Sequence, residues 1–593
     1  MSQLKHFPFK SLSKLWFYIR PKRRRHFVYL LLFTLIASIA EIVSIGAVIP
    51  FLGALTNPES IITNTYISPY LDVLGISSEK DLLKPMTLIF IFASISAGLL
   101  RILLLWATTR LSFSTGSDLS FDIYQRTLEQ SYEVHISRNS SEIISAVTSK
   151  ANTVIISIIV PCLIMLSSLI FLFAILLALI VINPIVSILL ILGFTMVYLL
   201  IAQLVRKRLH LNGQNISEKS NKVVQILQEG LGGIRNILID STQKKFSQDY
   251  RKNDLQLRHA QGDNIFITQS PRFGVESLGM VLIAIFAYAM SKQPNGLDNT
   301  IPILGAMALG AQRSLPLMQR IFQGWSSLRG GLESLKDIIN LLDQPHSTVE
   351  SLTNNKIPFE STIVFSNVSY CFDNKKNHWI FKNINLNISK GSSIGIIGQT
   401  GSGKTTLVDL LMGLLEPKEG EILVDGFKLT KSNISSWQSQ IAHVPQEIYL
   451  ADRSIAENIA FGVDKEEIDM NRVVASAKKA HIHDLIESWT EKYEAFVGER
   501  GIKLSGGQIQ RIAIARALYK QAVIIIFDEA TSALDGETEQ SVMEAIESLG
   551  SEMTIVMIAH RLSTLRNCDQ VISLGKGGIL QQGSYAELVG RKI

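Results

Sequence analysis

Long apolar stretches dominate the first half of the chain. Phe27–Leu55 is nearly continuous, and Met86–Trp106, Val154–Ile182, Ile185–Val205, Ile265–Met290 and Ile301 to about Ile321 follow it. Each reaches the roughly 20 residues that a helix needs to cross the hydrocarbon core. The pattern predicts six membrane-crossing helices, with Pro161 and Pro271 near helix starts, where a missing N–H costs little. Leu328–Pro345 reads as a helix running on from the last span and ending at the proline. A polar linker follows. From Phe359 onward short strand-like runs alternate with helical stretches, the grammar of a soluble α/β domain. The expected organisation is residues 1–26 as a cytoplasmic N-terminal segment, 27–328 as a membrane domain, 329–358 as helical extension and linker, and 359–593 as the α/β domain.

Composition agrees with this division. Of 593 residues 47% are hydrophobic and only 18% charged, below the roughly 25% of soluble domains. That excludes a disordered chain. Cys162, Cys371 and Cys568 are too few and too scattered for a disulfide framework or a metal site.

Charge placement changes the reading of the net +6. Eight Lys and Arg precede the first span, and eleven lie in Val205–His259. The 56–85 segment has only Lys80 and Lys84, the Asn183–Pro184 turn has none, and 291–300 has only Lys292. The positive-inside rule therefore puts the N-terminus, both long connecting segments and the α/β domain in the cytoplasm. Beside a membrane span, Lys22-Arg23-Arg24-Arg25 reads as an orientation signal and a contact for anionic lipid rather than for nucleic acid.

The candidate chemistry lies in the second half. Ser393–Gly398 is a short apolar strand leading into Gly398-Gln399-Thr400-Gly401-Ser402-Gly403-Lys404-Thr405-Thr406 and a helical run. This is the phosphate-binding loop in its strand–loop–helix context. Its glycines free backbone amides for phosphate oxygens, Lys404 neutralises the β- and γ-phosphates, and Thr405 is placed to ligate Mg²⁺. Val523–Glu529 is a buried-strand pattern ending in two carboxylates, Asp528 for the Mg²⁺ shell and Glu529 as general base toward water.

Further motifs give the chain a resemblance. Leu504-Ser505-Gly506-Gly507-Gln508 is similar to the signature of ATP-binding cassette proteins, and Asp528–Asp535 to their second nucleotide motif and D-loop. Gln446 in His443-Val444-Pro445-Gln446 matches the Q-loop, and His560 the switch histidine. The resemblance implies an exporter half-transporter, with a six-helix membrane domain followed by an α/β P-loop ATPase. Two copies would enclose ATP and Mg²⁺, the loop of one facing Ser505–Gln508 of the other. Glu529, His560 and Gln446 would act catalytically, with Gln446 also at the metal. An aromatic ring usually stacks on adenine in this family. Phe372 and Tyr370 are the candidates here, and spacing favours Phe372. Segments 131–139 and about 238–246 match the positions of helices that rest on the cassettes.

Glu41–Pro50 and Asn139–Ile144 also resemble bacterial flippases of lipid-linked oligosaccharides and polysaccharide exporters. The implied function is ATP-driven flipping of such an amphipathic lipid by alternating access, in the inner membrane, by a homodimer without nucleic-acid partners. The alternatives are a multidrug or peptide exporter, or a regulatory membrane ATPase that moves no solute. Glu41, Arg101, Glu276, Arg313 and Arg320, charged residues in or near spans, are the candidate cavity residues. Pairing of Glu41 or Glu276 with an arginine is the structural alternative.

Overall fold

The computed structural model describes residues 9–56, 58, 79–182, 184–291, 297–344, 357–372, 379–528, 553–559 and 565–590. It divides into two compact units, residues 1–128 with 138–346, and residues 129–137 with 347–593.

The first unit is helical. Its elements are α1 (Phe9–Tyr18), α2 (Pro21–Gly46), α3 (Val48–Thr56) and α4 (Glu79–Leu128). A helical run over 140–182 follows, comprising α6 (Ser140–Ser145), α7 (Ala151–Val154) and α8 (Val160–Ile182). Then come α9 (Pro184–Gly232), α10 (Ile234–Ile239), α11 (Gln243–Gln269), α12 (Pro271–Ser291) and α13 (Leu297–Leu342). The short α5 (Tyr132–Ser137) belongs to the other unit. All six apolar runs lie in helices. Among the described residues, Pro21–Leu55, Leu82–Leu128 and Ser140–Leu177 are long and apolar enough to cross a membrane.

Pro161 is the second residue of α8, near a helix start as expected, but the helical run does not begin there. Instead π-turns at Ala146–Lys150 and Ile155–Ile159 join α6, α7 and α8, and the Val160 amide donates to the Ile155 carbonyl, one residue beyond α-helical reach. The wide turn absorbs the proline, which brings no N–H of its own. The polar connecting segments are also largely helical, because α9 and α11 carry the helix well past the apolar runs. Hydropathy marks where the solvent changes, not where a helix ends.

Packing in this unit relies on small residues at close crossings. A Cβ on Gly213 of α9 would sit 2.7 Å from the Gly330 carbonyl of α13, so only glycine permits that approach. Part of the basic N-terminal cluster is used internally. Arg23 pairs with Asp118 of α4 at 2.7 Å, and Arg24 caps the Phe17 and Ile19 carbonyls, while Lys22 and Arg25 remain exposed. Arg20 binds Asp122 at 2.6 Å.

The second unit holds β1 (Thr362–Tyr370), β2 (Phe381–Ser389), β3 (Ser393–Gly398), α14 (Lys404–Leu411), β4 (Glu419–Val424) and β5 (Phe427–Lys428). Next come α15 (Ile434–Ser439), β6 (Ile441–Val444), α16 (Ile455–Ile459), α17 (Met470–Lys479), α18 (His483–Glu487) and α19 (Gly506–Tyr519). β7 (Ile524–Asp528), β8 (Thr554–Ile558), β9 (Gln570–Gly575), β10 (Gly578–Gly583) and α20 (Tyr585–Gly590) complete it. One sheet is antiparallel, in the order β2-β1-β4-β5. Asp425 and Gly426, both with positive φ, form the tight turn between β4 and β5. The other sheet runs β10-β9-β3-β8-β7-β6, parallel from β9 to β6, with β10 antiparallel at its edge. Its inner strands read as unbroken apolar runs because both faces are covered. One core packs β1, β2 and α14 against this sheet around Phe365, Tyr370, Leu410 and Trp437, and a second lies among α16–α19.

Candidate functional site

In an open parallel sheet, ligands bind beyond the carboxyl ends of the strands. Register puts several sequence-derived residues on that edge. Ile396 of β3 and Asp528 of β7 both align with Ile558 of β8, and Val444 of β6 aligns with Phe527. The phosphate loop after β3, Asp528 at the end of β7 and Gln446 just beyond β6 therefore share one rim. Glu529 and His560, which directly follow or nearly follow β7 and β8 in sequence, lie outside the described residues, as does the D-loop.

The loop is built to bring backbone, not side chains, to its ligand. Gly401 and Gly403 have φ of 81° and 96°, in the left-handed region open to glycine. A Cβ on Gly403 would meet the Phe381 ring at 2.5 Å. Lys404 opens α14, with Nζ donating to the Gly398 carbonyl at 2.9 Å and toward that of Gln399 at 3.4 Å. The ammonium is thus buried over the loop, and the buried Ser402 hydroxyl has no hydrogen-bond partner among the described residues. Gln399, Thr400 and Thr405 are exposed and Thr406 is buried. A cationic cradle with an unsatisfied hydroxyl fits a polyphosphate. Thr405, Gln446 and Asp528 supply only oxygen donors, the set that Mg²⁺ prefers.

At the start of α19 the signature residues form a capping box. Ser505 Oγ accepts from the Gln508 amide at 3.3 Å, and Gln508 Oε1 accepts from the Ser505 amide at 2.9 Å. The two side chains thereby fix the first turn, while the Gly506 and Gly507 amides point along the helix axis, where an anion is favoured. Of the two candidates for stacking on adenine, Tyr370 is fully buried and Phe372 is 49% exposed, the rings meeting edge to face at 5.3 Å.

The structure also supplies a carboxyl that the sequence reading missed. Asp409, one and a half turns along α14 from Lys404, is buried, and its pKa is pushed up to about 6 by desolvation and by the charge of Asp528. An acid inside the apolar run Leu407–Leu411 was the available signal.

The candidate cavity residues are less convergent. Glu41 is buried and paired with Arg101 at 3.0 Å, and Glu276 pairs with Arg272 one turn away at 2.7 Å. Arg320 is exposed, and the Arg313 side chain lies outside the described residues.

A phosphate loop on the rim of a parallel sheet, in a chain that also carries long apolar helices, defines a nucleotide-using membrane protein. Comparison narrows the class. Residues 28–292 match the ABC transporter transmembrane region and residues 381–532 the ABC transporter domain. An ATP-dependent lipid A-core flippase of Methylococcus capsulatus is 30% identical over 563 residues, 93% of this chain and 89% of that protein. A flippase of the same description from Cupriavidus metallidurans is 32% identical over 65% of each chain. ABC transporter B family member 14 of Arabidopsis thaliana is 32% identical over 66% of this chain, which spans only 32% of that protein's length. The structure of a bacterial Atm1-family ABC exporter with ATP bound superposes with a TM-score of 0.77, at 23% identity, over 96% of both chains. The chain belongs to the ABC transporter family, with one matched transmembrane region and one matched ABC transporter domain.

Proposed function

We propose that the protein uses ATP to flip a lipid-linked oligosaccharide or a comparable amphipathic lipid across the bacterial inner membrane, with its N-terminus and ATPase domain in the cytoplasm. The observation that carries the cargo class is the near full-length match to a lipid A-core flippase. The resemblance of Glu41–Pro50 and Asn139–Ile144 to lipid-linked oligosaccharide flippases narrows it further.

The mechanism requires a second copy of the chain, since one phosphate loop and one signature make half of each site. Lys404 and the loop amides hold the polyphosphate of ATP, and Phe372 offers a π face to adenine. Ser505, with the Gly506 and Gly507 amides of the partner, closes on the far side. Thr405, Gln446 and Asp528 would hold Mg²⁺, which would offset the charge of the β- and γ-phosphates. Glu529 accepts a proton from the attacking water, and His560 holds the γ-phosphate and that water in place. Closure of two such sites drives the membrane helices toward the outward state, and hydrolysis resets them. The Glu41–Arg101 pair neutralises one arginine, so phosphate recognition in the cavity would fall to Arg313 or Arg320.

The test is ATP-dependent flipping of a labelled polyprenyl-pyrophosphate oligosaccharide in proteoliposomes, with Glu529→Gln as control. Flipping in the wild type alone is the expected result. Intact ATPase without flipping overturns the cargo class and turns the search to drugs, peptides or another lipid.

A further inference from the structure

One polar contact in the ATPase unit lies outside the machinery just described. Lys418, just before β4, extends its ammonium to Glu133 of α5, at 3.2 Å from Oε1 and 3.4 Å from Oε2. The same ammonium sits 5.8 Å from the centre of the Tyr370 ring. Its backbone is fixed as well, the Lys418 amide donating to the Ser369 carbonyl at 3.0 Å.

Tyr370 is a branch point. Toward the surface it meets Phe372 edge to face. Across the sheet it pairs with Phe381, whose ring fills the space that a side chain on Gly403 would need. Tyr370 is fully buried, and burial and the Glu133 charge both push its phenol pKa upward. From Glu133 the contacts thus run through Lys418 and Tyr370 to two parts of the nucleotide site. One is the half-exposed aromatic ring, and the other is the phosphate loop. In the chain, α5 is continuous with α4 before it and α6 after it, both in the helical unit.

We propose that Lys418 is a positioning residue for the nucleotide site: pinned by Glu133 and seated on the Tyr370 ring, it holds the Tyr370–Phe372 pair in place, so that displacement of α5 is felt where the base binds. The inference rests on the reading of Phe372 as the adenine-stacking ring. Both side chains of the ion pair are partly exposed, so the contact adds little to stability; what it fixes is geometry.

The test uses the full-length protein in lipid nanodiscs, with Lys418→Met, which keeps the side-chain length, Glu133→Gln, the double variant, Lys418→Arg and Phe372→Ala. The readouts are affinity for a methylanthraniloyl-ATP probe, KM and kcat of ATP hydrolysis, and, without nucleotide, hydrogen exchange over 362–372. Lys418→Met and Glu133→Gln should each weaken probe binding and raise KM about three- to fivefold, with kcat within about twofold. The double variant should match either single variant, Lys418→Arg should restore affinity, and exchange over 362–372 should rise in the Lys418→Met protein. If Phe372→Ala weakens binding but Lys418→Met changes neither affinity nor exchange, the positioning role is wrong and the stacking role survives. If Phe372→Ala leaves affinity unchanged, the stacking role is wrong and the inference falls with it. Additive effects of Lys418→Met and Glu133→Gln overturn the link to α5.

Discussion

The Arg516 guanidinium closes on Asn458: Nε donates to the Asn458 carbonyl at 2.8 Å and Nη2 to its side-chain oxygen at 3.3 Å. Nη1 reaches the Tyr449 carbonyl at 3.0 Å, and the Phe461 ring covers the group from 4.7 Å. Arg516 belongs to α19, which begins at the signature, whereas Tyr449 to Asn458 is the stretch that follows Gln446. One half-buried cation therefore ties the signature helix to the segment after the Q-loop. Burial lowers its pKa to about 10, so it stays charged at neutral pH.

Arg516→Met leaves the Asn458 carbonyl without its donor. Unfolding of the ATPase domain should become easier by about 2–3 kcal/mol, and Arg516→Lys should recover part of that loss. Thermal unfolding of the purified protein measures the difference. Equal melting of wild type and Arg516→Met would show that the segment is held by other contacts.

Gly403 cannot carry a side chain, because its φ is 96° and the Phe381 ring stands in the way. Gly403→Ala should weaken ATP binding at least about tenfold, since the strain reshapes the loop whose amides face the phosphates. Titration with a fluorescent ATP analogue gives the answer directly. Unchanged affinity would mean that Phe381 moves aside without disturbing the loop.

Glu41 and Arg101 form an ion pair between α2 and α4. Removing Glu41 leaves the Arg101 charge without its partner in a membrane span, whereas removing both leaves no charge. Glu41→Gln should therefore lower the melting temperature in detergent more than Glu41→Gln with Arg101→Gln. A double variant less stable than the single one would contradict the pairing.

Acid stability has a local source in Asp425. Burial by itself would raise this carboxyl, yet its pKa is depressed by hydrogen bonds from the Glu360, Thr362 and Ser361 amides and by the charge of Lys390. A depressed folded-state value means stability that is fully present above the unfolded pKa of about 3.9 and is lost as pH falls through the folded one. Asp425→Asn should cost about 1–2 kcal/mol at pH 7 and flatten the acid limb of the stability curve. Parallel curves for the two proteins, measured by denaturant unfolding from pH 3 to 7, would remove Asp425 from this role.

The apolar runs, the phosphate loop with its strand and helix, and the S-x-x-Q start of α19 were legible from residue order. Each is a short-range signal, in which side-chain period, glycine freedom or a cap acts within a few residues. The tertiary structure alone decided which charges meet. Glu133 and Lys418 stand 285 positions apart, and no local pattern announces their contact. Asp409 is perturbed because packing buries it and brings the strand carrying Asp528 near its helix, and Glu41 is a structural partner of Arg101 because α2 lies against α4. Tyr370, the last residue of β1, is likewise buried by core packing, whereas Phe372 lies beyond the end of the strand and is half exposed. Local order sets what a segment can be, while packing sets the neighbours and solvent that give each polar group its partner and its chemistry.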